Sequence, residues 1–210
     1  MNIVVEATRK LEEQLRESGC EDGIVRIDTL PGCTLCQYEK GACMIASFGG
    51  RSAEFVTFDP VRATTRISFM FGATLEKTTQ RIAACAIINV ITGFLCLSRK
   101  LHACAPEYHG RCAEELRERC KGRRIYCIGE IYHKEVLDGL SFVQDPEMAD
   151  LFMVTGEGLV SPDGIGLVSR YRGKKPMLFL APSTAGICSV LDLDHWCPYG
   201  GAEGAGVRGE

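Results

Sequence analysis

Three short apolar runs in the second half of the chain alternate with segments of helical character, and this alternation constrains the fold more than any other feature. The runs are RIYCIG at 124–129, LFMVTG at 151–156 and PMLFLAP at 176–182. Each has the length of a strand and is apolar throughout, which suits strands buried on both faces of a sheet. Between them lie helix signals: Asp163 or a neighbour can cap a helix running to Tyr171, and Ser183 or Thr184 can cap another running to Leu191. Strands joined through helices pair in parallel, so the expected fold class is α/β, with a Rossmann-like parallel sheet in the C-terminal part.

The first third reads differently. Ile3, Val4, Ala7, Leu11 and Leu15 recur at helical spacing within Asn2–Ser18, and the runs IVRIDTL, ACMIASF, AEFVTF and RISFMF then read as strands. Gly49-Gly50-Arg51-Ser52 supplies a hairpin turn between the second and third. Thr74 is placed to cap a long helix from Leu75 to Ser98, apolar on all sides in its middle and therefore expected between layers. It is shorter in apolar length than the roughly 20 residues of a membrane span and carries Asn89, Thr92 and Gly93. These signals divide the chain into a smaller α+β N-terminal part (1–73), a Rossmann-like domain that includes the long helix (74–199), and a glycine-rich flexible tail (200–210).

A parallel sheet directs attention to the turns that follow its strands, because ligands of open α/β sheets bind at the carboxyl ends, where glycine permits close approach and helix N-termini favour anions. The residues concerned are Gly129, then Thr155, Gly156 and Glu157, then Pro182, Ser183 and Thr184, with Asn89 as a polar group on an apolar helix. An anionic small molecule is the expected partner. No G-x-G-x-x-G follows one of the predicted strands and opens a helix, and G-x-x-x-x-G-K-[ST] does not occur, so no nicotinamide or P-loop nucleotide is expected.

Twelve cysteines in 210 residues point to metal chemistry or to inert packing more readily than to disulfides in a reducing compartment. In PGCTLCQYEKGAC, Cys33 and Cys36 have C-x2-C spacing and Cys43 follows; a fourth ligand is left to Cys20, a more distant cysteine, a histidine or an open position. A redox pair and inert thiols are the alternatives. In LHACAPEYHGRC, His102, Cys104, His109 and Cys112 offer four further N/S donors around Pro106 and Gly110, as a ligand loop or as a structural connector. The cofactor expected from these donors is a metal ion or an iron–sulfur cluster of unspecified identity. The formal net charge of -3 and the interleaving of Arg117, Arg119 and Lys121 with Glu114, Glu115 and Glu118 give no footing for nucleic acid. Met1–Gly19 lacks the pattern of a secretory signal, so a cytoplasmic location without membrane insertion is expected, with room for a homo-oligomer.

ADLFMVTGEGLV, PMLFLAPSTAG, HWCPYG and the helix segment AACAIINVITGF together resemble a group of uncharacterised prokaryotic proteins labelled as a heavy-metal chelation family. The resemblance covers about half the chain. It implies a Rossmann-like C-terminal domain joined to an enolase-cap-like N-terminal domain with a site in the cleft between them, at Asn89, Thr155, Gly156, Pro182, Ser183 and Thr184. It implies no reaction, and the cysteine-rich segments depart from it. The leading expectation is a metal-binding or metal-handling protein with an anion cleft at the strand ends. The alternatives are an enzyme acting on a small anionic metabolite, with structural cysteines, and an assembly subunit of a cofactor pathway.

Overall fold

The computed structural model describes residues 2–33, 35–132 and 137–202. Helix α1 (Ile3–Leu15) is capped by Asn2, whose Oδ1 accepts the Val4 N–H at 2.9 Å, and it buries Ile3, Val4, Ala7, Leu11 and Leu15. Strands β1 (Ile24–Thr29), β2 (Ala42–Phe48), β3 (Arg51–Thr57) and β4 (Ala63–Arg66) form an antiparallel sheet in the order β3-β2-β1-β4, with Gly49-Gly50 turning β2 into β3. The run RISFMF, read as a strand, is one only at its first residue: Ile67–Met70 winds into a 3-10 turn that buries Ile67 and Met70.

Helix α2 (Thr78–Phe94) starts later and ends earlier than expected. Leu75 has φ of 51°, a left-handed conformation that cannot continue into a right-handed helical turn, so capping falls to Lys77, whose N–H donates to the Gln80 side chain at 3.1 Å. The buried Arg81 guanidinium fixes this bend by donating to the carbonyl oxygens of Leu75, Glu76 and Val160. Helix α3 (His109–Cys120) follows a 3-10 turn at Pro106–Tyr108, so His109 and Cys112 lie on a helix and not in an irregular loop.

The remaining strands, β5 (Arg124–Ile128), β6 (Ser141–Phe142), β7 (Leu151–Val154), β8 (Met177–Leu180) and β9 (His195–Trp196), form a parallel sheet in the order β6-β5-β7-β8-β9. Between β7 and β8 come α4 (Gly156–Val160) and α5 (Pro162–Tyr171), and between β8 and β9 comes α6 (Ala181–Leu191). Ser161, not Asp163, caps α5, its hydroxyl accepting from Gly164 N. Helix α6 begins two residues before Ser183, directly off β8, through Ala181 at φ of 68°. The fold is α/β. The alternation of side chains along each strand sends Phe152, Val154 and Phe179 into the core shared with α1, α2 and α5, while Leu151, Met153, Leu178 and Leu180 face α3.

Helix α2 lies between the two sheets, packed against β2 and β3 on one side and α6 on the other. Gly186 of α6 permits the close crossing: a Cβ there would stand 2.5 Å from Asn89 Oδ1 and 2.8 Å from Asn89 Cα. Gly186→Ala is therefore expected to lower stability by about 1–3 kcal/mol through overpacking, read as a shift of the urea midpoint with unchanged slope. Gly201 pairs with the His102 backbone, so the first residues of the glycine-rich segment are held in place; residues 203–210, the rest of the expected tail, lie outside the described residues. None of the helices among the described residues is long and apolar enough to cross a membrane.

Candidate functional site

All five parallel strands present their carboxyl ends to one edge. Counted within the sheet, their order is 2-1-3-4-5, the flavodoxin-type winding whose topological switch point lies between the first and third strands, here β5 and β7. Gly129 follows β5 there and Thr155 follows β7. The two approach so closely that a Cβ on Gly129, whose φ is 89°, would stand 2.1 Å from Thr155 Oγ1. Beside this point a cavity of about 260 Å³ opens, lined by Tyr126, Cys127, Gly129, Glu130, Phe142 and Gln144 among others.

The same edge is covered by a segment from the loop between β1 and β2. Cys36, Gln37, Tyr38 and Glu39 are all buried although they belong to no helix or strand, and Cys36 and Tyr38 pack with Met153, Leu180 and Ala181. Buried polar groups are paired in the large majority of cases, so a cluster of exceptions stands out. The Gln37 amide, Glu39 Oε1, Thr155 Oγ1 and Trp196 Nε1 all lack a well-formed hydrogen bond in this region. Lys40 anchors the end of the segment through an ion pair with Glu130 at 2.7 Å.

Glu39 occupies the position in which a bound anion was expected. Its Oε1 lies near Gly156 and Ser183, at the start of α4 and α6, where the Ser183 hydroxyl and the Ser183 and Gly156 N–H groups favour its charge without an ideally placed hydrogen bond to Oε1. Burial outweighs them: desolvation pushes the Glu39 carboxyl up to about 8, with Glu54 adding repulsion. The carboxyl is therefore mostly protonated at neutral pH.

The expected cleft residues do meet here, with different roles. Asn89 is fully buried and its amide is spent on the protein itself: Nδ2 donates to the carbonyl oxygens of Glu54, Pro182 and Ser183 at 3.1–3.2 Å, and Oδ1 accepts the Gly186 N–H at 2.9 Å. Ser183 Oγ accepts from Val56 N at 2.9 Å, and Thr184 Oγ1 donates back to Leu180 O at 2.8 Å. Glu157 Oε2 accepts from Thr57 Oγ1 and Phe58 N, tying α4 to the end of β3.

The expected metal ligands divide into separate groups. Cys33 and Cys43 stand together, but Cys36 turns away from them toward Glu39, Cys197 and Cys104, because it is drawn into the apolar layer over the parallel sheet. His102 is buried and works as a strut: Nε2 lies 2.9 Å from Ser52 O, and Nδ1 lies 3.3 Å from Glu54 Oε1, off the hydrogen-bond direction. His109 sits half-buried at the start of α3. Cys112 Sγ is 3.2 Å from Tyr38 OH. Among the described residues, no three His, Cys, Asp or Glu side chains stand in the arrangement of a metal site.

What the structure does gather is a different thiol set. Cys36, Cys104, Cys112 and Cys197 come from the covering segment, the stretch before α3, α3 itself and the residue after β9; Cys36 is near Cys104 and Cys197, and Cys112 is near Cys104 and Cys197. Burial pushes all four thiols up, Cys197 to about 12. Neither Glu39 nor Cys197 was singled out from the sequence. QYEK carries no pattern that announces a buried glutamate, and Cys197 stands alone in HWCPYG, far along the chain from the other cysteine-rich segments.

No family model matches this chain, and no curated protein matches it. A solved structure from Pyrococcus horikoshii, described as a protein with unknown function from the DUF364 family, is similar at 13% identity and a TM-score of 0.43, over 86% of this chain and 79% of that one.

Proposed function

We propose that the carboxyl edge of the parallel sheet is the working site, and that it handles a soft metal through Cys36, Cys104, Cys112 and Cys197 beneath the 36–39 segment. The observation that supports this reading is the gathering of four thiols from separate stretches of chain, two of them, Cys36 and Cys197, beside the buried Glu39. Thiol donors suit zinc or an iron–sulfur cluster. The donor chemistry fits; the spacing in this structure is not that of a closed site, so loading would draw the sulfurs inward, with the covering segment as the movable part. Because burial favours the protonated thiols, metal uptake would expel protons and strengthen as pH rises.

The test uses the full chain prepared anaerobically, with elemental analysis, an absorption spectrum and a zinc titration. The reading expects stoichiometric metal and a loss of affinity of about tenfold or more in Cys104→Ser and Cys197→Ser, with Cys33→Ser unaffected. Protein that takes up no metal, or that loses it only in Cys33→Ser, overturns the reading. The second reading, an enzyme for a small anionic metabolite, is favoured by the cavity of about 260 Å³ beside the switch point. Metabolite binding that Gly129→Ala abolishes in metal-free protein would select it.

A further inference from the structure

Cys33 and Cys43 stand outside the four-thiol group, and the loop geometry explains why they meet. Leu30 N donates to Cys43 O at 2.9 Å, which closes the base of the loop between β1 and β2, and the left-handed Gly32 (φ 79°) turns the chain just before Cys33. Both cysteines line one open hollow of about 350 Å³ with Leu30, Leu35, Pro60 and Arg62. Of the two, Cys33 is half-buried and Cys43 is buried.

We propose that Cys33 and Cys43 are a dithiol site for an anionic small-molecule disulfide, whose reduction leaves an intrachain Cys33–Cys43 bond that ties off the loop carrying residues 36–39. In the first step the Cys33 thiolate attacks one sulfur of the small disulfide; the new bond is a mixed disulfide and one small thiolate leaves, taking up a proton from water. In the second, Cys43 gives its proton to solvent and attacks Cys33 Sγ, which breaks the mixed disulfide and releases the second small thiol. Two protein thiols are oxidised and one disulfide is reduced to two thiols.

The order of attack follows from the surroundings. The Cys43 S–H stabilises the Cys33 thiolate and holds Cys33 below the usual thiol range, while Cys43 is pushed up, first by that same interaction and then by burial. Cys43 Sγ also lies 3.6 Å from Met44 O, and its single proton serves one acceptor at a time. The Arg62 guanidinium on the hollow supplies a positive charge for the carboxylates of a peptide-like disulfide. Cys36, the C-x2-C neighbour, faces the other way and is no competitor for Cys33.

The probe is oxidised glutathione, added to the reduced full-length chain, followed by alkylation of remaining thiols and peptide mass analysis. The expected product joins Cys33 to Cys43 with loss of two hydrogens, and amide exchange across residues 35–40 slows at the same time. Cys43→Ser should stop at the first step with one glutathionyl group on Cys33, and Cys33→Ser should leave Cys43 reduced. The proposal fails if Cys33 stays reduced while the exposed Cys96 reacts, if Cys33 links to Cys36, if exchange across 35–40 is unchanged, or if Cys43→Ser retains no glutathionyl group on Cys33.

Discussion

Asn89→Ala is expected to lower stability by about 3–5 kcal/mol, a loss at the top of the range for a single substitution. The asparagine is fully buried in α2: its two amide hydrogens are shared among three backbone carbonyls of β3 and α6, and its oxygen accepts one backbone N–H of α6. Its removal takes a partner from the Glu54, Pro182 and Ser183 carbonyl oxygens and from the Gly186 N–H at a fully buried position, and each orphaned group costs about 1–3 kcal/mol where no other partner remains. Asn89→Asp should be no better, since it discards the amide donor and buries a charge. Equilibrium unfolding in urea checks both. A change below about 1 kcal/mol for Asn89→Ala would remove the idea that this residue staples three elements together.

The second large effect concerns pH. The Glu39 carboxyl is pushed up to about 8 in the folded chain from an ordinary value of 4.5, chiefly by desolvation. Below about 4.5 the group is protonated in both states and contributes no pH dependence. Between 4.5 and 8 the folded state keeps a proton that the unfolded state has lost, so stability falls as pH rises across this window, and the fall ends above 8. The full shift corresponds to about 3–5 kcal/mol. Glu39→Gln removes this loss: the variant should gain stability over the parent progressively from pH 5 to pH 8, with the two close to equal near pH 4. Denaturation midpoints of the two proteins across that range would decide it, and parallel curves would mean that Glu39 is ionised or solvated in the folded chain.

The elements that could be read from residue pattern alone are those whose signal is local. The strands around Tyr126, Phe152 and Phe179 announce themselves as short apolar runs, the β2–β3 hairpin as a paired glycine turn, and α1 by its 3.6-residue periodicity. The misplaced boundaries have tertiary causes. Leu75 takes a left-handed backbone under the hydrogen bonds of Arg81, and no propensity of Leu75 itself predicts that. The convergence of Asn89 with the turns after Thr155 and Pro182 was legible because an amide in an apolar helix needs partners. Backbone partners were one of the two readings open to a buried amide; which backbone they would be was not legible, because the crossing of α2 on α6 depends on Gly186. Cysteine spacing misled for a similar reason: C-x2-C proximity along the chain says nothing about which sheet each sulfur faces, and the layer above Leu180 claims Cys36.

The central position of α2 also bears on how the chain acquires its structure during synthesis. At roughly 5–20 residues per second, the antiparallel sheet and the body of α2 are complete well before α6 leaves the ribosome, yet α2 is buried on nearly every side in the finished protein. Ile87, Val90 and their neighbours must therefore wait with an apolar surface uncovered until the segment ending at Leu191 arrives to close over it. That interval is the point at which holding chaperones would find the nascent chain most adhesive, and truncation before α6 should leave a product that aggregates instead of a smaller folded protein.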